Sequence, residues 1–146
     1  PVQQRPTLRP GESHRSPKPE NPSAFVTQDP TQGLTPTDLV QSLVGTGVTI
    51  SNVTFAGAPV AAGRFSGGLG VIGFDSGIVL GSGSTADIVG PNALDDTSTS
   101  HDLPGDPELD ALVPGYTTHD ADLLEFDFTC PSTTSISFGF VFASEG

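Results

Sequence analysis

The feature that most constrains the fold is a pair of alternating apolar and polar runs near the C-terminal end of the chain. Residues 122–128 carry Leu or Phe at every second position from Leu124, and residues 135–142 carry Ile or Phe in the same way from Ile136. Because the side chains of a strand alternate between its faces, each run presents one apolar face. Residues 130–134 between them are typical of a turn. The sequence therefore predicts a β-hairpin at the centre of the core, and it holds five of the nine phenylalanines: Phe126, Phe128, Phe138, Phe140 and Phe142.

Glycine and proline are frequent in this chain of 146 residues, with 18 and 14 copies. Both interrupt regular structure, so the composition favours many turns and few long helices. The length suits one domain, and no apolar run approaches the ~20 residues needed to span a bilayer. A single cysteine, Cys130, excludes an internal disulfide bond and a cysteine-based zinc site.

The net charge of −12 is divided unevenly along the chain. Residues 1–20 hold four of the five basic residues and sum to +2, whereas residues 21–146 sum to −14. An acidic body repels phosphate, which excludes nucleic-acid binding through that body. The charge favours a divalent cation or the basic arm of a neighbouring copy as a partner, although solubility alone also accounts for it.

Residues 1–33 are predicted to form a proline-rich, basic and extended N-terminal arm. Proline fixes φ and has no N–H to donate, so the expected conformation is polyproline-like or disordered. The only apolar island of the arm, residues 24–27, is able to add one short edge strand. The prolines of the arm are Pro1, Pro6, Pro10, Pro17, Pro19, Pro22 and Pro30.

The folded domain, residues 34–146, is predicted to begin with a short helix that covers one end of a sheet. Thr35 suits the N-cap, Pro36 the first helical position and Asp38 the third, where a carboxylate favours the helix N-terminus. The helical spacing of the apolar residues ends at Gly45, so the helix is about nine residues long.

Shorter elements are predicted further along the chain. Residues 48–55 read as a strand whose apolar positions change face, which indicates a bulge near residues 51–52. Residues 56–63 are interpreted as a loop of small residues, and residues 78–80 as a compact apolar run. Residues 106–113 are predicted to form one or two helical turns capped by an aspartate.

Two glycine-containing motifs suggest catalysis or cofactor binding but lack the required context. Residues 68–73 have the glycine spacing of a dinucleotide-binding loop, which needs a helix N-terminus after it. A turn follows instead, so a strand edge or bulge is the better interpretation. Residues 81–84 do not form a nucleophile elbow, and His101 and His119 are interpreted as surface histidines. The sequence therefore predicts no enzymatic activity and no catalytic residues.

Carboxylates are the one chemically suggestive group. Calcium binds six to eight oxygens, and clustered carboxylates repel one another until a divalent ion joins them. The spacing does not match an EF-hand, and helix capping or solvent exposure explains some of these residues equally well. The hypothesis is a calcium site within residues 95–127, with five candidate ligands: Asp106, Glu108, Asp110, Asp120 and Asp122.

Six segments, in order, resemble a known domain family: residues 39–45, 48–55, 72–80, 106–113, 122–128 and 140–145. Together they are similar to the bacterial choice-of-anchor L domain over about residues 34–145. The resemblance implies an extracellular bacterial domain of poorly defined activity, carried on proteins that varied C-terminal anchors attach to the surface. It brings no catalytic residues.

The sequence departs from that family at residue 146. The family resemblance implies that the Ala-Ser-Glu element continues into further acidic and aromatic residues and more strands, whereas here Gly146 follows Glu145. Three explanations stay open: a fragment, a cleaved product, or a short version without the closing strands. Unpaired strand edges template pairing with another chain. The hypothesis is strand donation, in which the arm of one copy completes the sheet of the next through Phe25, Val26, Phe138, Phe140 and Phe142.

The sequence as a whole predicts an all-β fold, a jelly-roll-like β-sandwich with one or two short helices and the extended arm. The expected function is that of a secreted structural protein of the bacterial cell surface or matrix, which self-associates with other copies and builds filaments. The alternative is a calcium-dependent adhesin or glycan-binding module, with surface glycans as partners. A hydrolase would need an acid–base pair, which the sequence does not offer.

Overall fold

The strands of the protein form two antiparallel sheets. The computed structural model describes residues 25–91, 97–132 and 136–144. The strands are β1 (Val26–Gln28), β2 (Thr49–Ala56), β3 (Ala62–Ser66), β4 (Ser76–Leu80) and β5 (Leu123–Thr129). One sheet has three strands in the order β1-β3-β4, and the other pairs β2 with β5.

The helices are short and lie between the strands in sequence. They are α1 (Pro36–Leu43), α2 (Leu69–Ile72) and α3 (Pro107–Leu112), with a 3-10 turn at Pro30–Gln32. This confirms the prediction of an all-β fold with few short helices, although the described residues form three α-helices where one or two were expected. The face-to-face sandwich stays a prediction.

Helix α1 begins as the sequence predicts, because Thr35 and Asp38 cap it reciprocally. The Asp38 N–H donates to Thr35 Oγ1 at 3.2 Å, and the Asp38 carboxylate accepts from the Thr35 N–H at 2.8 Å. Pro36 occupies the first turn, where its missing N–H costs nothing. The Thr35 hydroxyl also donates to Asp38 Oδ2 at 2.7 Å, and this bond is the main cause that lowers the pKa of Asp38, followed by the bond from the Thr35 N–H.

The core lies where α1 contacts both sheets. Leu39 and Val40 of α1 are fully buried. Apolar residues of both sheets pack against the cluster formed by Leu39 with its buried neighbours, so α1 joins the sheets rather than covering one end of a sheet. The cluster comprises Leu34, Leu39 and Ala62, with Phe55 and Leu124 from the two-stranded sheet and Ile78 from the three-stranded sheet.

The predicted bulge in β2 is present. The pairing register of β2 with β5 shifts between Ser51 and Thr54. Asn52 adopts a positive φ of 51° at this point, and its side-chain amide donates to Asp127 Oδ2 at 2.6 Å. Because asparagine tolerates the left-handed region better than most residues, the change of face follows from the local sequence.

The predicted C-terminal hairpin is wrong, and with it the predicted centre of the core. Strand β5 forms as expected, but its partner is β2. Residues 136–144 form no strand and lie exposed. Alternation shows that a run offers an apolar face, but the ladder needs a partner strand, which alternation does not identify. Residues 133–135 of the expected hairpin lie outside the described residues.

Strand β3 and helix α2 were not predicted. Residues 56–63 were expected to form a loop, yet Ala62 begins the central strand of the three-stranded sheet. Small residues at this position allow close packing: a Cβ on Gly63 would lie 2.8 Å from the Gln28 carbonyl oxygen. Residues 69–72, within the stretch 68–73 that was interpreted as a strand edge or bulge, form the single turn of α2.

The last residues of the predicted arm belong to the folded domain. Strand β1 pairs with β3, with Val26 opposite Ser66. The buried ring of Phe25 lies 5.8 Å from that of Phe65. The boundary expected at residue 33 therefore falls inside the fold, and residues 1–24 lie outside the part of the chain that the structure describes.

Candidate functional site: an exposed phenylalanine surface

Residues 136–144 present large apolar side chains to solvent. The exposed fractions of Phe138, Phe140 and Phe142 are 57%, 85% and 86%. Single exposed apolar residues are ordinary, but several consecutive ones typically mark an interaction site. The segment that was predicted to be the core is therefore the most apolar exposed stretch of the described chain.

A groove lies where this segment passes strand β5. It encloses about 210 Å³ between the C-terminal end of α1 and the rings of β5. The rings of Phe126 and Phe128 on β5 are 6.2 Å apart and form part of its wall. The remaining apolar lining comes from Leu43, Val44, Val48, Cys130, Ile136 and Phe138.

The segment reaches a second apolar site at Gly139. A Cβ built on Gly139 would lie 2.7 Å from the ring of Phe74, so the backbone passes directly over that ring. Phe74 precedes β4 and is itself exposed. The segment thus joins the groove beside β5 to Phe74 beside the other sheet. We call the six rings along this path the phenylalanine surface: Phe74, Phe126, Phe128, Phe138, Phe140 and Phe142.

The structure places the five predicted assembly residues in two groups. Phe138, Phe140 and Phe142 share the exposed segment. Val26 lies in the three-stranded sheet of its own chain, and Phe25 directly before it is buried. They are therefore not free to complete the sheet of another copy in this structure. Sequence reasoning missed Phe74. Gly139, which contacts it, offered a signal in the sequence, because a glycine inside a strand-like run often marks a place where another group approaches the backbone closely.

The candidate calcium ligands have structural partners in the loop before β5. Asp106 caps α3 by accepting from the Glu108 and Leu109 N–H groups at 2.8 and 3.0 Å. Asp110 Oδ1 accepts from the backbone N–H and the hydroxyl of Thr118 at 2.6 and 2.7 Å. These bonds to Thr118, chiefly the one from its backbone, lower the pKa of Asp110.

Asp120 holds the same loop through a second set of backbone hydrogen bonds. It has a positive φ of 52°, and its carboxylate accepts from the Leu103 N–H at 2.7 Å and the His101 N–H at 3.2 Å. These bonds lower its pKa, the one from Leu103 most. Asp120 and Asp122 both line a cavity of about 260 Å³ beside Leu80.

Asp122 differs from the other carboxylates in being partly buried. Its Oδ1 accepts from the Ala58 N–H at 3.1 Å, while its Oδ2 is buried without a hydrogen-bond partner among the described residues. Burial raises the pKa of Asp122 to about 6, against the opposing effects of the Ala58 bond and nearby His101. A Cβ on Gly57, at φ 148°, would collide with this carboxylate.

The carboxylates do not converge on one point. In residues 25–91, 97–132 and 136–144, no group of three or more His, Cys, Asp or Glu side chains is placed to hold a metal ion. Glu108 is exposed on α3, and Asp95 and Asp96 of the predicted interval lie outside the described residues. The calcium site stays a prediction.

The fold defines a class of β-rich domain with two small antiparallel sheets. Residues 26–146 match the model of the Choice-of-anchor L domain family, and the chain belongs to that family. The match begins at the first residue of β1. No curated protein and no solved structure matches the chain.

Family membership makes this a surface-associated bacterial protein with an extracellular or cell-surface location. Among the described residues, no helix is long and apolar enough to cross a membrane.

Proposed function

We propose that the protein is a non-enzymatic structural component of the bacterial surface, which self-associates through the phenylalanine surface and builds filaments. The observation that carries the proposal is the exposure of Phe140 and Phe142, at 85% and 86%. Burying one phenylalanine side chain contributes about 1.5–3 kcal/mol. Two such rings offset part of the entropy that association costs.

The unpaired strand edges of the domain support the same proposal. Within the described residues, β5 pairs on one edge only and the two-stranded sheet has no third strand. Two-stranded sheets are marginal on their own, and an unpaired edge is a template for a further strand or an extended segment. A second copy of the chain offers such a segment, so no other protein is needed as a partner.

Sedimentation velocity over a range of protein concentrations tests the proposal. The wild-type protein is expected to show larger species as concentration rises, whereas the variant Phe140→Ser/Phe142→Ser is expected to associate at least about tenfold more weakly. The matched control is Leu112→Ser/Tyr116→Ser, since these residues are 76% and 80% exposed and are not part of the phenylalanine surface. A wild-type protein that stays monomeric up to about 1 mM contradicts the proposal.

The competing function is calcium-dependent glycan binding. The observation that favours it is the unpartnered Oδ2 of Asp122 beside Asp120, since calcium binds oxygen ligands. Glycan capture by a monomer that a chelator abolishes supports this function. Electron microscopy with and without the chelator separates the two, because assembly through phenylalanine does not need the ion.

A further inference from the structure

We propose that the phenylalanine surface of one copy binds residues 1–24 of a second copy as a proline-rich ligand. The inference rests on the proposed self-association and names the partner segment. It replaces strand donation by Phe25 and Val26, because Val26 pairs with β3 of its own chain and Phe25 is buried. The docked segment ends before Phe25.

The chemistry of residues 1–24 suits an aromatic surface better than a sheet edge. Six prolines lie in this stretch, and each removes the N–H that a strand ladder needs. Proline-rich segments instead dock their rings on aromatic grooves in the polyproline II conformation, which costs little entropy on binding. Pro19 and Pro22 are three residues apart, the spacing that puts both rings on one side of that helix.

The receiving surface has the matching form. The groove between Phe126, Phe128 and Phe138 is lined mainly by apolar and aromatic side chains. Phe74, which the Gly139 backbone contacts, is still 40% exposed and extends the aromatic path beyond the groove. Several exposed rings in a row give a proline-rich ligand more than one docking position.

The opposite net charges of residues 1–24 and residues 25–146 favour the arm as the ligand. Residues 1–24 hold four of the five basic and two of the 17 acidic residues, which gives +2, while residues 25–146 carry −14. Arg64, the one basic residue beyond position 24, is engaged by Gln28 Oε1 at 2.6 Å. Two acidic bodies repel each other, and the arm of one copy is the segment of this chain with the sign that offsets the repulsion.

The first test changes the arm in the full-length chain. The variant Pro17→Ala/Pro19→Ala/Pro22→Ala is expected to associate at least about tenfold more weakly than wild type in sedimentation velocity, with an unchanged thermal unfolding midpoint. The control Gln3→Ala/Gln4→Ala/Thr7→Ala makes three changes in the same arm and keeps its prolines and charges. It is expected to associate like wild type.

The second test mixes two variants. The proline variant has an intact surface and Phe140→Ser/Phe142→Ser has an intact arm, so the mixture is expected to form 1:1 complexes that neither forms alone. A proline variant that associates like wild type, or a mixture that stays monomeric, overturns the inference. If the wild-type protein is monomeric throughout, the proposed function fails instead, so the two failures are distinguishable.

Discussion

The two sheets of this domain differ in how far their large apolar side chains are buried. The three-stranded sheet meets α1 through small side chains, and there Ala62 and the facing Leu39 and Val40 are fully buried. The two-stranded sheet also contributes Phe55 and Leu124 to that cluster, but its own Phe128 is 45% exposed. The size of a side chain therefore does not reveal which region is the core. Rings occur in both regions: Phe65 of the three-stranded sheet is buried, whereas Phe128 of the two-stranded sheet and the rings of residues 138–142 are exposed.

The largest effect expected from this difference is on stability. Leu39→Ala leaves a cavity beside Ala62 and is expected to lower the free energy of unfolding by about 2–5 kcal/mol. Phe142→Ala removes a larger side chain, yet it is expected to cost less than about 0.5 kcal/mol because the ring is exposed. Urea denaturation of both variants measures the difference. Equal losses would show that residues 136–144 belong to the core.

The second prediction concerns Asp122, which holds the start of β5 against the turn after β2. Its pKa is raised from 3.8 to about 6 by burial, so the folded state favours the protonated form. The stabilisation by Asp122 is thus complete below pH 3.8 and is lost as pH rises to about 6. After allowance for solvent screening, the loss is about 1–2 kcal/mol.

Urea denaturation of Asp122→Asn as a function of pH measures this loss. The variant does not ionise, so its stability relative to wild type is expected to rise between pH 3.8 and about 6 and then stay constant. His101 and Asp120 are the titratable groups that act on Asp122. Asp120→Asn is the control. The pKa of Asp120 is lowered in the folded state, so its stabilisation is present at high pH, and the stability of this variant relative to wild type is expected to fall as pH rises. A relative stability of Asp122→Asn that does not change with pH argues against burial of this carboxyl group.

The smallest expected effect is at the point where the exposed segment crosses Phe74. Gly139→Ala places a Cβ 2.7 Å from the ring, but Phe74 is exposed and is free to rotate away. The expected loss of stability is therefore below about 1 kcal/mol. Gly70→Ala is the control, since its Cβ meets no atom within 4 Å, and alanine is favoured over glycine inside a helix by about 0.5–1 kcal/mol. A large loss in Gly139→Ala would mean that the segment is rigidly packed.

The parts of the fold that the sequence predicts are those decided by neighbouring residues. The cap of α1 depends on Thr35 and Asp38, three positions apart, and the bulge in β2 on Asn52 within its own strand. The family resemblance also came from short segments in order, and it is confirmed over residues 26–146.

The parts that the sequence does not predict depend on partners far apart in the chain. Strand β5 pairs with β2, more than 60 residues away, and alternation within β5 does not distinguish this partner from residues 135–142. Strand β3 is missed because its buried residues, Ala62, Gly63 and Phe65, give no regular apolar alternation. For the candidate site the sequence marks five of the six phenylalanines and misses Phe74. It assigns all five to the core hairpin, and three of them also to assembly, because exposure depends on the same missing pairing.

Amide hydrogen exchange of residues 136–144, measured in dilute and in concentrated protein, tests the central claim most directly. The claim is that this segment is outside the core of the monomer and becomes covered when copies associate. The expected result is fast exchange in dilute protein and slower exchange on association, while the segment around Leu39 is protected at both concentrations. Equal protection of both segments in dilute protein would contradict the account, because it would place the phenylalanine surface inside the fold.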